Sequence, residues 1–209
     1  MVQFSDAFRQ DLAELMRWRR DVRRFRTDPV PGPVLDRCLQ SFALAPSVGL
    51  SQPWRLRRIG SAAARTAARD NFRAANADAL RGYRGARAET YAGLKLSGMD
   101  DAPEQIAVFC DDATTQGAGL GARTMPETRR YSVVCAIMQF WLAARAEGLG
   151  VGWVSILDAP SLCAAWKTPK DWTLVAYLCI GWPRDDDTAP ELERLGWEER
   201  RAMPPLEML

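Results

Sequence analysis

Apolar residues recur at helical spacing near the start of the chain, where Phe8, Leu12, Leu15 and Met16 follow Ser5, a helix-capping residue type. The pattern predicts a first helix that runs into an arginine-rich stretch at 17–26. "TDPVPGP" breaks it, and Pro33 suits the first turn of a second helix with Leu35, Leu39 and Phe42 on one face. Residues 45–54, "APSVGLSQPW", predict a loop, since two prolines bracket Gly49 and several small residues. A strand is expected near 54–59. Residues 61–97 are polar and alanine-rich, with a thin apolar stripe (Phe72, Leu80, Tyr83, Tyr91, Leu94), and predict marginally packed helix. "EQIAVFCD" (104–111) and "WTLVAYLCIGW" (172–182) predict buried strands. "GVGWVSIL" (150–157) predicts a strand whose glycines let something approach the backbone. Between them, 127–147 is apolar nearly all round (Val133, Val134, Ile137, Met138, Phe140, Trp141, Leu142), the mark of a helix buried in the core or at a subunit interface, and Gly148 ends it. Residues 183–209 mix proline and charge with Leu192, Leu195, Trp197 and Leu206, which an extended arm packed on a partner subunit accounts for. No internal repeat or second domain is visible, so one domain over 1–209 is expected.

Composition narrows the chemistry. The 209 residues suit one domain or one subunit of an interlocked dimer. A net charge of +2 argues against a dedicated nucleic-acid binder. No run of apolar residues is long enough to span a membrane, and the N-terminus lacks a signal-peptide pattern. Cys38, Cys110, Cys135, Cys163 and Cys179 are scattered without a CxxC pair, as expected of buried thiols in a reducing cytoplasm rather than of a metal site. The chain has no histidine, which removes Ser-His-Asp, Cys-His and HExxH chemistry together. An enzyme of this composition works with carboxylates, hydroxyls, backbone amides and arginines, or lets a cofactor carry the chemistry. There is no Walker A motif and no GxGxxG, and "GAGLG" (117–121) reads as a flexible loop.

The stretch "RRDVRRF" (19–25) carries the sharpest question, an aspartate among four arginines. Taken alone, an arginine run is more often a solvated face than a phosphate site, and such an aspartate is more often a salt-bridge partner than a base. Trp141 and Trp153 likewise read as core residues before stacking partners.

The order of these features resembles the flavin-dependent nitroreductase family: the arginine cluster after the first helix, the "PSVGLSQPW" loop, the long apolar helix and the strand "GLGVGWVS". The likeness spans most of the chain. It implies an α+β fold with a central antiparallel-rich sheet flanked by helices, and an interlocked homodimer with FMN at the interface and exchanged C-terminal arms (183–209). Arg19, Arg20 and Arg23 match the positions that hold phosphate and ribityl, with Val22 between them, and Arg200 in "GWEER" is expected to complete the phosphate site. Bidentate guanidinium–phosphate pairing makes physical sense of that choice. Ser51, Gln52, Leu96, Gly152 and Ser155 fall where the flavin is expected.

Two departures mark a branch. Ordinary members carry serine at the position of Asp21 and asparagine at that of Leu50. "RRDVR", "APSVGLSQPW", "TMPETRRYSVVCAI" and "WLAARAEGLGVGWVSI" together are similar to a branch that consumes its flavin. The resemblance implies that reduced FMN and molecular oxygen give 5,6-dimethylbenzimidazole, the lower ligand of vitamin B12, and erythrose 4-phosphate. Asp21 and Ser155 are then the catalytic candidates. Neighbouring positive charge is expected to lower the Asp21 pKa, making it a base rather than a resting acid. Residues 72–97 are expected to act as a lid, and a separate reductase to supply reduced FMN. A conventional NAD(P)H-dependent nitroreductase and a non-catalytic FMN-binding protein stand as alternatives.

Overall fold

A computed structural model describes residues 2–208. Helix α1 (Asp6–Trp18) begins where Ser5 Oγ accepts the Phe8 N–H at 3.1 Å. Helix α2 (Gly32–Gln40) follows with proline in its first turn and runs into a short 3-10 turn that carries Phe42. Strand β1 (Trp54–Arg58) leads to α3 (Ala62–Arg81) and α4 (Gly85–Gly93), the polar stretch of the sequence. Strand β2 (Glu104–Asp111), helix α5 (Thr128–Ala146) and strand β3 (Gly150–Val154) come next. Helix α6 (Ala159–Ala165), strand β4 (Trp172–Gly181) and the short α7 (Glu191–Arg194) complete the order.

The four strands form one antiparallel sheet in the order β1-β2-β4-β3. Both faces are covered, which is why β2 and β4 read as unbroken apolar runs. Side chains alternate across a sheet, so Ile106, Val108 and Cys110 join α2 and α5 on one face. Ala107, Phe109, Tyr177 and Cys179 join Ala68 of α3 and Leu162 of α6 on the other. The glycine strand is three residues shorter than its apolar pattern, ending at Val154.

The all-round apolarity of α5 resolves into two faces. Val133, Ala136, Ile137 and Phe140 are sealed in the core, whereas Tyr131, Val134 and Met138 stay exposed in the single chain. Helix α1 buries no residue, and Phe8 and Met16 of its apolar face remain open. The C-terminal segment divides as well. Residues up to Trp197 pack on their own chain, while Met203, Leu206 and Met208 lie almost fully exposed.

Candidate active site

The RRDVRRF segment lies against β3 as a further, very short strand. Asp21 bridges Val151 in parallel register, and Val22 N–H donates to Val151 O at 3.0 Å. The close approach read from the glycine strand is made by the chain itself. A Cβ on Gly152 would fall far inside contact distance of the Val22 carbonyl, and one on Gly150 would meet the Val22 side chain at 2.8 Å. Gly152 therefore seats the backbone that carries Asp21. At the far end, Phe25 is fully buried beside Gly98 and Gly181, which anchors the segment in the core.

Residues two apart in an extended segment share a side, and Asp21 and Arg23 do. Asp21 Oδ2 accepts Arg23 Nε–H at 3.0 Å, and Oδ1 accepts the Trp153 backbone N–H at 2.8 Å. Arg23 Nη1 also donates to the Lys95 carbonyl at 3.2 Å, which brings the chain leaving α4 to the site. Burial pushes the Asp21 pKa up from the ordinary aspartate range, against the downward pull of Arg23, the Trp153 N–H and Arg19. This corrects the expectation that the arginines set the direction. About a third of the side chain stays open, toward the cavity, and the hydration lost elsewhere outweighs the attraction of its cationic neighbours.

Arg19, Arg20, Asp21, Arg23 and Arg200 line a cavity of about 160 Å³, closed by Pro190, Glu191 and Leu192. Arg19 lies over the Trp141 ring, 5.0 Å from its centroid, and among the described residues it has no carboxylate partner. Arg20 gives three of its five N–H donors to carbonyls, Nε to Thr188 O at 2.7 Å, Nη1 to Arg19 O at 2.6 Å and Nη2 to Thr188 O, and keeps two. Its pKa is lowered, first by burial and then by repulsion from Arg200 and Arg19. Guanidiniums that repel one another in a partly buried cavity are stabilised by an anion, and the donor set matches a phosphate. An FMN phosphate fits these residues.

The remaining candidates lie elsewhere or at the margin. Val22 lines a smaller adjoining hollow with Arg24 and Glu191. Ser155 is exposed just past the end of β3, two residues beyond Trp153. Leu96 is half-buried beside Lys95, whose carbonyl holds Arg23. Ser51 and Gln52 do not line the arginine cavity. Gly117 is pressed against Gly49, Gln116 donates to Leu50 O at 2.9 Å, and Leu50 and Gln52 are held at positive φ. "GAGLG" is thus a brace for the 45–54 loop. Ser51 Oγ is buried without a hydrogen-bond partner, an orphaned polar atom of the kind a ligand or second subunit satisfies. The Trp153 N–H, the Lys95 carbonyl and Glu191 were not foreseen. Backbone donors and acceptors leave no mark in side-chain chemistry, and Glu191 lies remote in sequence from the arginines.

A family model described as "Nitroreductase family" matches residues 16–182. The chain belongs to the nitroreductase family. The fold agrees. The structure of an oxidized iodotyrosine deiodinase bound to FMN and 3-iodo-L-tyrosine superposes on this nitroreductase-family chain with a TM-score of 0.74 and 22% identity, covering 95% of this chain and 100% of that one. A nitroreductase-type protein of Exiguobacterium sibiricum in complex with FMN gives 0.65 and 18%, covering 97% and 96%. Nearer in sequence is a 5,6-dimethylbenzimidazole synthase of Rhodospirillum rubrum, 56% identical over 201 residues, which span 96% of this chain and 95% of the relative. One from Rhodobacter capsulatus is 48% identical over 198 residues, 95% and 96% of the two chains. Family and relatives make this chain an enzyme of the oxidoreductase type. Among the described residues no helix is long and apolar enough to cross a membrane, and no group of side chains is arranged to hold a metal ion.

Proposed function

We propose that the chain converts reduced FMN and molecular oxygen into 5,6-dimethylbenzimidazole, leaving erythrose 4-phosphate and the pyrimidine remainder of the flavin ring. The observation that carries this reading is Asp21, a carboxylate fixed by two donors and raised by burial, at the edge of a phosphate-sized arginine cavity. By the resemblance, it stands where ordinary family members have serine. Bound reduced FMN would supply both the electrons and the carbon skeleton of the product.

The chain's own residues then divide the work. Arg19, Arg20, Arg23 and Arg200 hold the phosphate, and the Arg19–Trp141 stack keeps one guanidinium oriented. Asp21 Oδ1 and Oδ2 each spend one lone pair on a fixed donor and keep another for the cavity, where they take or return a proton. A pKa lifted from the ordinary range lets one carboxyl serve as base and acid in turn, the role that histidine cannot fill here. The exposed Ser155 hydroxyl is assigned to the ring's reactive edge, and Leu96 to its face.

The cavity is smaller than the roughly 300–1,000 Å³ of ordinary ligand clefts. The ring needs further walls, and a second copy of the chain provides them in this reading. Ser51 and Gln52 belong to that wall, and the exposed faces of α1 and α5 to the interface. Residues 72–97 cover the flavin, exclude water and a nicotinamide, and leave reduction to a separate reductase.

The test is anaerobic mixing of protein with reduced FMN, admission of oxygen, and chromatography of the small molecules. Dimethylbenzimidazole is expected to appear as FMN disappears. FMN recovered whole over repeated cycles would overturn the reading and favour a flavin reductase or an FMN-binding protein.

A further inference from the structure

Trp197 is caged. Its indole meets Tyr83 edge-on at 5.4 Å and 83°, and Tyr91 at 5.9 Å and 58°. The two tyrosines stack on each other at 4.8 Å and 28°. The Arg87 guanidinium lies over the indole, 3.8 Å from the centroid, and also donates to the Trp197 carbonyl. The Trp197 backbone N–H donates to Leu192 O at 2.8 Å, and Tyr91 OH donates to Asn76 Oδ1 at 2.7 Å. Two aromatic rings and a cation hold one side chain from several directions.

The flanking chain has little else to hold it. Gly196 sits at a left-handed φ of 68°, and residues 198–208 form neither helix nor strand. Arg200 belongs to that irregular stretch, yet it lines the cavity with Arg19, Arg20, Asp21 and Arg23. Its one ion pair among the described residues is a long contact to Glu193 at 3.9 Å. Three residues of extended chain reach at most about 10 Å, so a docked Trp197 confines where the Arg200 guanidinium goes. The cage is built on α4 and the turn that joins it to α3, and the exit of α4 meets Arg23 through the Lys95 carbonyl.

We propose that the Tyr83–Tyr91–Arg87 cage, by gripping Trp197, holds Arg200 in the arginine cavity, so that Trp197 is a positioning residue for the phosphate end of the ligand. The cage also couples the cover to the cavity, since both borrow the same indole. This inference rests on the reading of the cavity as an FMN phosphate site.

The experiment compares binding of FMN with that of riboflavin, which lacks the phosphate, by flavin fluorescence quenching. Wild type, Trp197→Ala, Arg200→Ala and the double variant are measured. Trp197→Ala is expected to weaken FMN on the order of tenfold, the scale of a lost hydrogen bond to a charged group, and to leave riboflavin unchanged. The double variant is expected to be no worse than Arg200→Ala, and Trp197→Phe to restore much of the preference. Arg87→Ala, which keeps the indole, is expected to lose part of the preference and carries the test if Trp197→Ala does not fold. A Trp197→Ala protein that keeps the wild-type ratio of FMN to riboflavin affinity, or weakens both alike, overturns the proposal while the phosphate reading stands. Additive effects in the double variant also overturn it. A wild type that does not prefer FMN to riboflavin overturns the phosphate reading itself, and the proposal with it.

Discussion

The 19–25 segment and the 82–97 segment meet at Arg23, but they are held by opposite means. The first is pinned to β3 by a backbone bond, closed over two glycines and anchored by a fully buried phenylalanine. The second belongs to a stretch of two helices that buries only Ala68 and Tyr91, and it leans on an aromatic cage and one carbonyl. The group assigned to proton transfer sits on the rigid side. The groups assigned to covering the ligand sit on the yielding side. A proton donor must keep its geometry to within a fraction of an ångström, whereas a cover must open to admit substrate.

The harshest way to break the rigid side is Gly152→Val. Its Cβ would collide with the Val22 carbonyl, so the segment must leave β3. A destabilisation on the order of 3 kcal/mol, with loss of flavin binding, is expected in denaturant titrations. Retained stability would mean that the 19–25 segment is not locked.

Asp21→Asn separates chemistry from structure at the same place. Turnover is expected to fall roughly 10²–10⁴-fold with FMN affinity little changed. Stability should hold or rise, because the folded-state pKa is raised. Below the ordinary aspartate pKa both folded and unfolded chains carry the proton. From there up to the raised value the folded chain keeps a proton that the unfolded chain has lost, so stability falls as pH rises through that window. Above it the ionised carboxylate is a constant cost that asparagine removes. Stability curves of both proteins from acid to neutral pH check this, and a variant clearly less stable at neutral pH would contradict the direction.

On the yielding side, amide exchange should be faster over 82–97 than over β2 and β4 by at least an order of magnitude, and should slow when FMN is added. Equal protection in the two regions would erase the contrast. The smallest effect concerns the 45–54 loop, which does not line the arginine cavity of its own chain. Ser51→Ala removes an orphaned hydroxyl and is expected to leave the ligand-free chain unchanged or stabilise it by up to about 1 kcal/mol, while weakening FMN. An unaltered flavin affinity would remove the loop from the site.

Much of the fold was legible in the chain. Ser5 as cap, Pro33 in a first turn, the break at "TDPVPGP", the 45–54 loop, and the buried runs at 104–111 and 172–182 all depend on neighbours within a few residues. Helix α6 was missed although Asp158 and Pro160 carry the cap-and-proline signal, because it is only seven residues long and follows directly on the apolar run of β3. The extra length read into that strand has the same cause, since Ile156 and Leu157 continue the pattern without continuing the ladder.

The residue types near a site were determined by the sequence alone: arginines for an anion, an aspartate out of place among them, and no histidine to do its work. Only the tertiary structure decided what those residues do to one another. Backbone packing puts the Trp153 N–H and the Lys95 carbonyl where no side-chain pattern announces them. Burial reverses the direction in which arginine neighbours would move Asp21. The loop that the resemblance sets at the flavin is braced by residues 116–121 and does not line the arginine cavity. Charge and periodicity are properties of the string, whereas desolvation and distance between remote segments exist only once the chain has closed around them.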